Sequence, residues 1–452
     1  MGLTEDDDAR HRTLRHSSVV NLALKGIGVA AALGSQVVLA RSLPLPAFGE
    51  YAAMLALSTI MAILGSGGLA LAAVRFLPSY RDRQDWPAFS GFVREAGIRC
   101  VIVTILFAGA TLIVAAALPP LRPWVPLLAA SVPLTVLLCL ATLLSGIQQS
   151  IRRPLQAEVL NNILRPVVLV GFIGGLVWLG GPTDAATALL LTAAAVLLTL
   201  LPAWVAVCRA VPIAPTGRVS RTDHRLWVAS GVGFLVPLVA VAAIERMDTI
   251  ILGALQGPDL AGIYSVATRL AILVSFATAA VNAMLGPMAA ELIGRKDQDG
   301  LRLLLANGAL IGTGLSILVA VGLLAIGPQL MHLFGPAFAA ASGAMQILMV
   351  GQVIQAGLGG GGALLALSGR NRALAIVMVS SVVAHVVLCV LLIPPFGLTG
   401  AALATATTLS ISGLVQAVLA RRLLGVDPSI RSGLLILLRH RARPAATTAR
   451  VP

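Results

Sequence analysis

A few charged and amide side chains interrupt a chain that is otherwise apolar, and their types decide what chemistry is open to it. Asn21 and Lys25 stand one turn apart near the start of one apolar run, and Asn161, Asn162 and Arg165 hold a similar place in another. Asn161 and Arg165 are spaced i,i+4, so they share a helix face. Turned to a common centre, the two groups form a cationic, hydrogen-bonding mouth. A second group lies in "AAIERMDTIIL", residues 242 to 252, where Glu245, Arg246 and Asp248 sit inside a stretch that is apolar from Trp227 to Leu255. Glu245 and Asp248 share a face by i,i+3 spacing, so one of them can pair with Arg269 on the following run, while Arg246 points roughly 100° away. Such a carboxylate either clamps two helices or takes a proton and acts as a coupling or gating group. His385 stands alone in its run, as a proton-coupling candidate or as a carbonyl-bonded structural histidine. Gln36, Asn282, Gln352 and Gln355 are isolated amides that interhelical hydrogen bonding would explain. No catalytic constellation and no metal-ligand spacing is present.

The elements that must position these groups are membrane spans. Hydrophobic residues make up 58% of the 452 and charged ones 11%, with mean hydropathy +0.94, whereas soluble domains are about a quarter charged. Apolar stretches of 20 or more residues recur along the whole length, each enough to cross a hydrocarbon core of about 30 Å as a helix. The ten-residue alternation of a membrane barrel is absent. The hydropathy predicts an all-α integral membrane protein with twelve spans: 19–40, 50–73, 97–118, 124–146, 159–180 and 186–208 in the first half, then 227–254, 262–286, 303–326, 339–367, 373–393 and 399–420.

The excess of 32 Lys+Arg over 18 Asp+Glu could signal nucleic acid, but its distribution points to topology. All but six of these cations fall on one side of the twelve-span arrangement; Arg41 and Arg122 lie on the other, and Lys25, Arg165, Arg246 and Arg269 fall within spans. By the positive-inside rule both termini are expected in the cytoplasm. The start is acidic before it is basic and has no apolar core followed by a cleavage site, so no signal peptide is expected. Cys100, Cys139, Cys208 and Cys389 lie in or at the edge of spans without paired spacing, as small apolar fillers.

A basic, Pro-containing segment at 209–226 divides the spans six and six. The expected organisation is a cytoplasmic segment 1–18, a first lobe 19–208, the linker 209–226, a second lobe 227–421 and a basic tail 422–452 lying on anionic lipid. "RSLPLPAFGEY" (41–51) in the first half and "ALQGPDLAGIY" (254–264) in the second carry the same pattern: a short turn with Pro, then Gly-x-Tyr opening the next span. That repeat fits two six-helix lobes around a central cavity. The glycine-rich "GLGGGGALLALSG" (357–369) has no Gly-Lys-Ser/Thr after it and no strand before it, so it reads as close packing or a break within a span.

"ARSLPLPAFGEYAAMLALSTIMAILGSGGLALAAVRFLPSY" (40–80), "ERMDTIILGALQGPDLAGIYSVATRLAILVSFATAAVNAMLGPMAAEL" (245–292), "LFGPAFAAASGAMQILMVGQ" (333–352) and "IPPFGLTGAALATA" (393–406) together resemble the polysaccharide transporter branch of the multidrug/oligosaccharidyl-lipid/polysaccharide exporter superfamily, whose members are Wzx-type flippases. The resemblance implies a cavity between two lobes and movement of a polyprenyl-diphosphate-linked glycan across a bacterial inner membrane, without enzymatic activity. It implies no cofactor, with coupling to H+, Na+ or the membrane potential. Membrane lipids, a polysaccharide polymerase and glycosyltransferases would be the partners, and nucleic acid would not. Asn21, Lys25, Asn161, Arg165 and Arg246 would then hold the diphosphate and sugar. Glu245, Asp248, Arg269 and His385 would couple or gate. A drug/cation antiporter or a lipid II flippase of the same superfamily is the alternative. Few aromatics and no well-buried acid in the first-lobe spans weigh against the antiporter.

Overall fold

The computed structural model describes residues 24–210, 221–295 and 297–434, and among them there is no strand. In the first half, α1 (Leu24–Ser42) is followed by α2 (Leu45–Ser66), α3 (Leu69–Asp82), α4 (Trp86–Ala117) and α5 (Val125–Ser150). Then come α6 (Pro154–Glu158), a π-helical stretch Val159–Leu164, α7 (Arg165–Trp178) and α8 (Ala185–Ala210). The second half holds α9 (Arg221–Gln256), α10 (Pro258–Gly294), α11 (Gln298–Phe334), α12 (Ser342–Leu358), α13 (Gly361–Leu367) and α14 (Asn371–Leu424). Eleven of the resulting helical segments are long and apolar enough to cross a membrane, against twelve expected spans. The difference lies in α14, whose 54 residues run through Pro394, Pro395 and a non-helical Gly397 with φ 56°; they cover both 373–393 and 399–420. A glycine is needed there, because that left-handed backbone is strained for any residue with a Cβ.

Other boundaries shift for identifiable reasons. The second expected span breaks at Gly67 and Gly68, both at positive φ, into α2 and α3. Gly68 faces the Gly231 carbonyl of α9 so closely that no Cβ fits, which brings the backbones of α3 and α9 together. Nearby, Trp227 of α9 donates its indole N–H to the Tyr80 hydroxyl at 2.9 Å and packs edge-on against Phe92 of α4. The fifth span starts at Pro154, ahead of its apolar run, because proline suits the first turn of a helix, where no N–H is needed. The expected span 339–367 is broken at Gly359 and Gly360 into α12 and α13.

The chain packs as two compact units, one reaching to Gly262 and including Leu333–Gly335, the other comprising Ile263–His332 and the chain from Pro336 onward. The first unit extends beyond the lobe expected at 19–208 to take in α9, which packs on α2 and α3. Its core gathers Leu77, Phe89, Phe92, Cys100, Cys139 and Ile147, all nearly inaccessible, so the two central cysteines act as small apolar residues. In the second unit a smaller cluster of Ala289, Leu301, Leu364, Ala420 and Val426 ties the ends of α10, α13 and α14 together. Outward-facing Leu, Ile and Val on α4, α11 and α14 match helices whose far side meets lipid. The linker core 211–220 and most of the basic tail lie outside the described residues.

Candidate functional site

In the first unit, the amide and cation cluster of the fifth span is built on a distorted helix. Pro166 has no N–H and its ring crowds the preceding turn, and directly before it the chain widens into π geometry, with the Arg165 N–H bonding the Leu160 carbonyl one turn back. Asn161 satisfies part of this turn by donating its side-chain N–H to the Ala157 carbonyl at 3.0 Å. The widened stretch meets α1 at Gly28, where a Cβ would lie 3.0 Å from the Asn162 Cβ and 3.3 Å from the Asn162 carbonyl oxygen. Thus the two spans that the sequence pairs as a mouth do touch, through Gly28 and Asn162.

Lys25 lies one turn before Gly28 and is exposed; Arg165 lies one turn beyond Asn162 and is half-buried. The two cations bracket the crossing, about 9 Å apart along the membrane normal if both helices run near it. Arg165 stands about three turns into a span that begins at Pro154, roughly 16 Å along the helix. The apolar run alone, from 159, puts it only about two turns along, and the helix itself starts earlier, at Pro154. Among the described residues its guanidinium has neither an ion pair nor a hydrogen bond, and its one electrostatic neighbour is the Tyr51 hydroxyl. Asn21 lies outside the described residues.

Tyr51, nearly fully buried, is held by α8: its hydroxyl lies 3.2 Å from that of Thr192. Thr192 already donates its proton to the Ala188 carbonyl at 2.7 Å, so Tyr51 is the donor of the pair. The second unit repeats this construction. Tyr264, also buried, lies 3.4 Å from Thr405, whose hydroxyl donates to the Ala401 carbonyl. The partners are equally far apart in sequence in both pairs, and the offset from one pair to the other is that of the Gly-x-Tyr repeat. The sequence shows the tyrosines but not their threonines, which carrying the repeat comparison on to α8 and α14 would have found.

The charges of α9 separate. Asp248 is 1% exposed and its carboxylate accepts the Thr249 backbone N–H at 2.7 Å, whereas Glu245 is exposed and Arg246 half-buried. The edge of the packed face therefore runs between two carboxylates that i,i+3 spacing puts on one side. Glu245 has Arg246 and Asp248 as its electrostatic neighbours. Arg269 is half-buried on α10 and belongs to the second unit.

His385, fully buried on α14, lies 3.3 Å from the Thr408 hydroxyl through Nδ1 and 3.7 Å from Cys389 Sγ through Nε2. Thr408 gives its proton to the Ala404 carbonyl, so Nδ1 must carry the hydrogen and Nε2 accepts from the thiol. No group of three His, Cys, Asp or Glu that could hold a metal occurs among the described residues.

Comparison with known proteins agrees with this architecture. The family described as "Polysaccharide biosynthesis protein" matches residues 14–293, and the MatE family matches residues 235–391. A curated relative, "Probable flippase AglR" of Haloferax volcanii, is 28% identical over 183 residues, which is 37% of this chain and 36% of the relative, so the match spans about a third of that protein. Among solved structures, an inward-facing multidrug resistance MATE family transporter of the MOP superfamily superposes with TM-score 0.70 at 14% identity, covering 88% of this chain and 98% of the other. A substituted form of the Vibrio cholerae MATE transporter VcmN gives 0.61 at 14% identity, covering 90% and 98%. At such identities the likeness is one of fold.

Proposed function

Since the chain belongs to the polysaccharide biosynthesis protein family, the flippase branch of the MOP superfamily, we propose that it moves a polyprenyl-diphosphate-linked oligosaccharide from the inner to the outer leaflet of a bacterial inner membrane. The observation that carries this reading is Arg165. An ionisable side chain near the bilayer centre costs on the order of 3 kcal/mol even on the gentlest scale, so it is retained where an anion or a wet cavity receives it. A guanidinium roughly 16 Å into its helix, with no hydrogen bond or ion pair among the described residues, suits a transient anionic partner. A lipid-linked sugar presents one, because its diphosphate must be held out of hydrocarbon while the polyprenyl tail stays in it. Lys25, one turn on the other side of the Gly28 crossing, would receive that diphosphate first and Arg165 second.

Transport would proceed by alternating access of two six-helix halves joined at 209–226, with both termini cytoplasmic. Arg246 is a further contact for the carrier, and Glu245, Asp248 and Arg269 are the groups through which H+, Na+ or the membrane potential would act. Glycosyltransferases would supply the substrate and a polymerase would consume it. We read the chain as a transporter and not an enzyme.

The test is reconstitution in liposomes with fluorescent polyprenyl-diphosphate sugars. Protein-dependent leaflet exchange is expected. Its absence over several glycans, together with proton-driven drug exchange, would overturn the reading in favour of a drug/cation antiporter, which the MATE fold also accommodates.

A further inference from the structure

In the second unit the position that the repeat pairs with Arg165 is Met378, and amides gather around a helix break. After α12 the chain leaves helical geometry at Gly359, with φ 74° and ψ −174°, and resumes as α13 at Gly361. Two amide side chains meet the break and a third lies one turn before it. Asn282 of α10 brings its amide oxygen to 3.4 Å from where a Cβ of Gly360 would stand. Gln416 of α14 lies over Gly361 and Gly362, its amide oxygen 2.5 Å from where a Gly362 Cβ would be. Gln355 lies one turn before the break, its Cγ 3.8 Å from a Cβ built on Gly413. A side chain at Gly362 would occupy the space the Gln416 amide uses, and Gly359 and Gly361 admit none because backbone lies against them.

Gln416 donates to the Ser412 hydroxyl at 3.1 Å, whereas Asn282 and Gln355 form no hydrogen bond among the described residues, and Asn282 is exposed. Each amide offers two donors and one acceptor oxygen without charge. That combination matches a ligand dense in hydroxyl groups, each of which both donates and accepts. It does not match a phosphate, which needs donors and positive charge, nor a drug cation, which needs a carboxylate or aromatic faces. The cluster lies toward the Arg-rich ends of its helices: Asn282 stands about three turns before the end of α10 at Gly294, and Gln416 about two turns before the end of α14 at Leu424. A sugar head group arriving from the cytoplasm would meet this depth first.

We infer that Asn282, Gln355 and Gln416, arranged around the Gly359–Gly362 break, form a saccharide-binding subsite that reads the hydroxyl groups of the glycan. This rests on the flippase reading and gives the glycan a chemistry of neutral amides, distinct from the positive charge a diphosphate needs.

The experiment uses full-length protein in nanodiscs and two fluorescent probes, a polyprenyl diphosphate bearing a trihexose and the same carrier without sugar. Asn282→Ala combined with Gln355→Ala is expected to weaken binding and flipping of the glycosylated probe about 10-fold, with the bare carrier within about 2-fold of wild type. Arg165→Ala is expected to weaken both probes. The isosteric pair Asn282→Asp and Gln355→Glu removes donors at constant volume, and its selective loss of the sugar-bearing probe guards against a packing effect. Equal losses for both probes, or no loss, in a folded amide variant would overturn the subsite while leaving the flippase reading intact. Failure of the wild type to bind either probe would overturn the flippase reading itself, and the subsite with it.

Discussion

The two Tyr–Thr pairs are the same device in two settings. In each, a tyrosine near the start of a helix donates to a threonine far along the chain, and that threonine is anchored to its own helix. In the first unit the tyrosine oxygen has a guanidinium as its electrostatic neighbour. In the second, the position that the repeat pairs with Arg165 is Met378. A duplicated scaffold thus keeps its interhelical hydrogen bonds while the residue at the matching position changes from Arg165 to Met378.

The repeat also offers a pair of glycines in unequal space, which gives the largest expected effect. Gly49 and Gly262 occupy matching positions of the Gly-x-Tyr repeat, and in the first unit they lie against each other. A Cβ at Gly49 would run into the Pro258 carbonyl, whereas one at Gly262 would stand 3.0 Å from the Gly49 Cα, where small shifts suffice. Gly49→Ala is therefore expected to lose about 3 kcal/mol, seen as a sharp drop in folded yield and thermal midpoint, and Gly262→Ala about 1 kcal/mol. Equal tolerance of both would show that the close approach is not a feature of the native membrane state.

Next in size is the loss of charge. Arg165→Ala should lower carrier transport by about 50- to 100-fold at unchanged protein level, the value of about 2–3 kcal/mol for a charge-assisted contact. Met378→Ala at the matching position should alter transport by less than about 2-fold. Arg165→Lys, which keeps the charge and loses the planar fork, should fall between. If Arg165→Ala transports normally, the first unit's cation is only a structural group and the contrast between the halves disappears.

The tyrosines separate stability from transport. Tyr51→Phe and Tyr264→Phe each remove one interhelical hydrogen bond of about 1 kcal/mol and should lower the thermal midpoint in detergent by similar small amounts. Only Tyr51→Phe should also raise the carrier concentration needed for half-maximal transport, because Arg165 loses its neighbouring oxygen. Matching transport defects in both would mean that the two pairs serve one purpose.

Much of this fold is legible in the sequence, because the apolar runs return as long apolar helices. What hydropathy misses is where apolar helices begin, bend and break. The polar first turn at Pro154 lies outside the fifth apolar run, and leaving it out places Arg165 too near the start of its helix, although proline after two arginines is itself a start signal. The π stretch before Pro166 and the break at Gly359 change backbone bonding without changing hydropathy. Helical spacing puts Glu245 and Asp248 on one face, but it cannot tell where the packed edge of that face falls. The candidates Lys25, Asn161 and Arg165 are legible because charge in hydrocarbon is rare. The amides are legible only as isolated residues, since their convergence depends on three helices far apart in the chain.

The smallest expected effect concerns His385, the one imidazole buried in a described span of the second unit. With Nδ1 donating to Thr408 and Nε2 accepting from Cys389, both ring nitrogens are already engaged, one in each role, and Thr408 has no proton left to exchange. A coupling histidine needs a nitrogen that gains and loses a proton as the protein cycles, with water or a carboxylate to relay it. Thr408 is a hydroxyl whose proton is committed and Cys389 is a thiol, and neither is such a relay. His385→Gln, which can still donate to Thr408, is therefore expected to leave the pH profile of transport unchanged between about pH 5.5 and 8.5, the window in which an imidazole titrates. Rates measured across that window in liposomes decide the matter. A flattened profile in the glutamine variant would place proton coupling in the second unit and make its difference from the first one of ion against carrier.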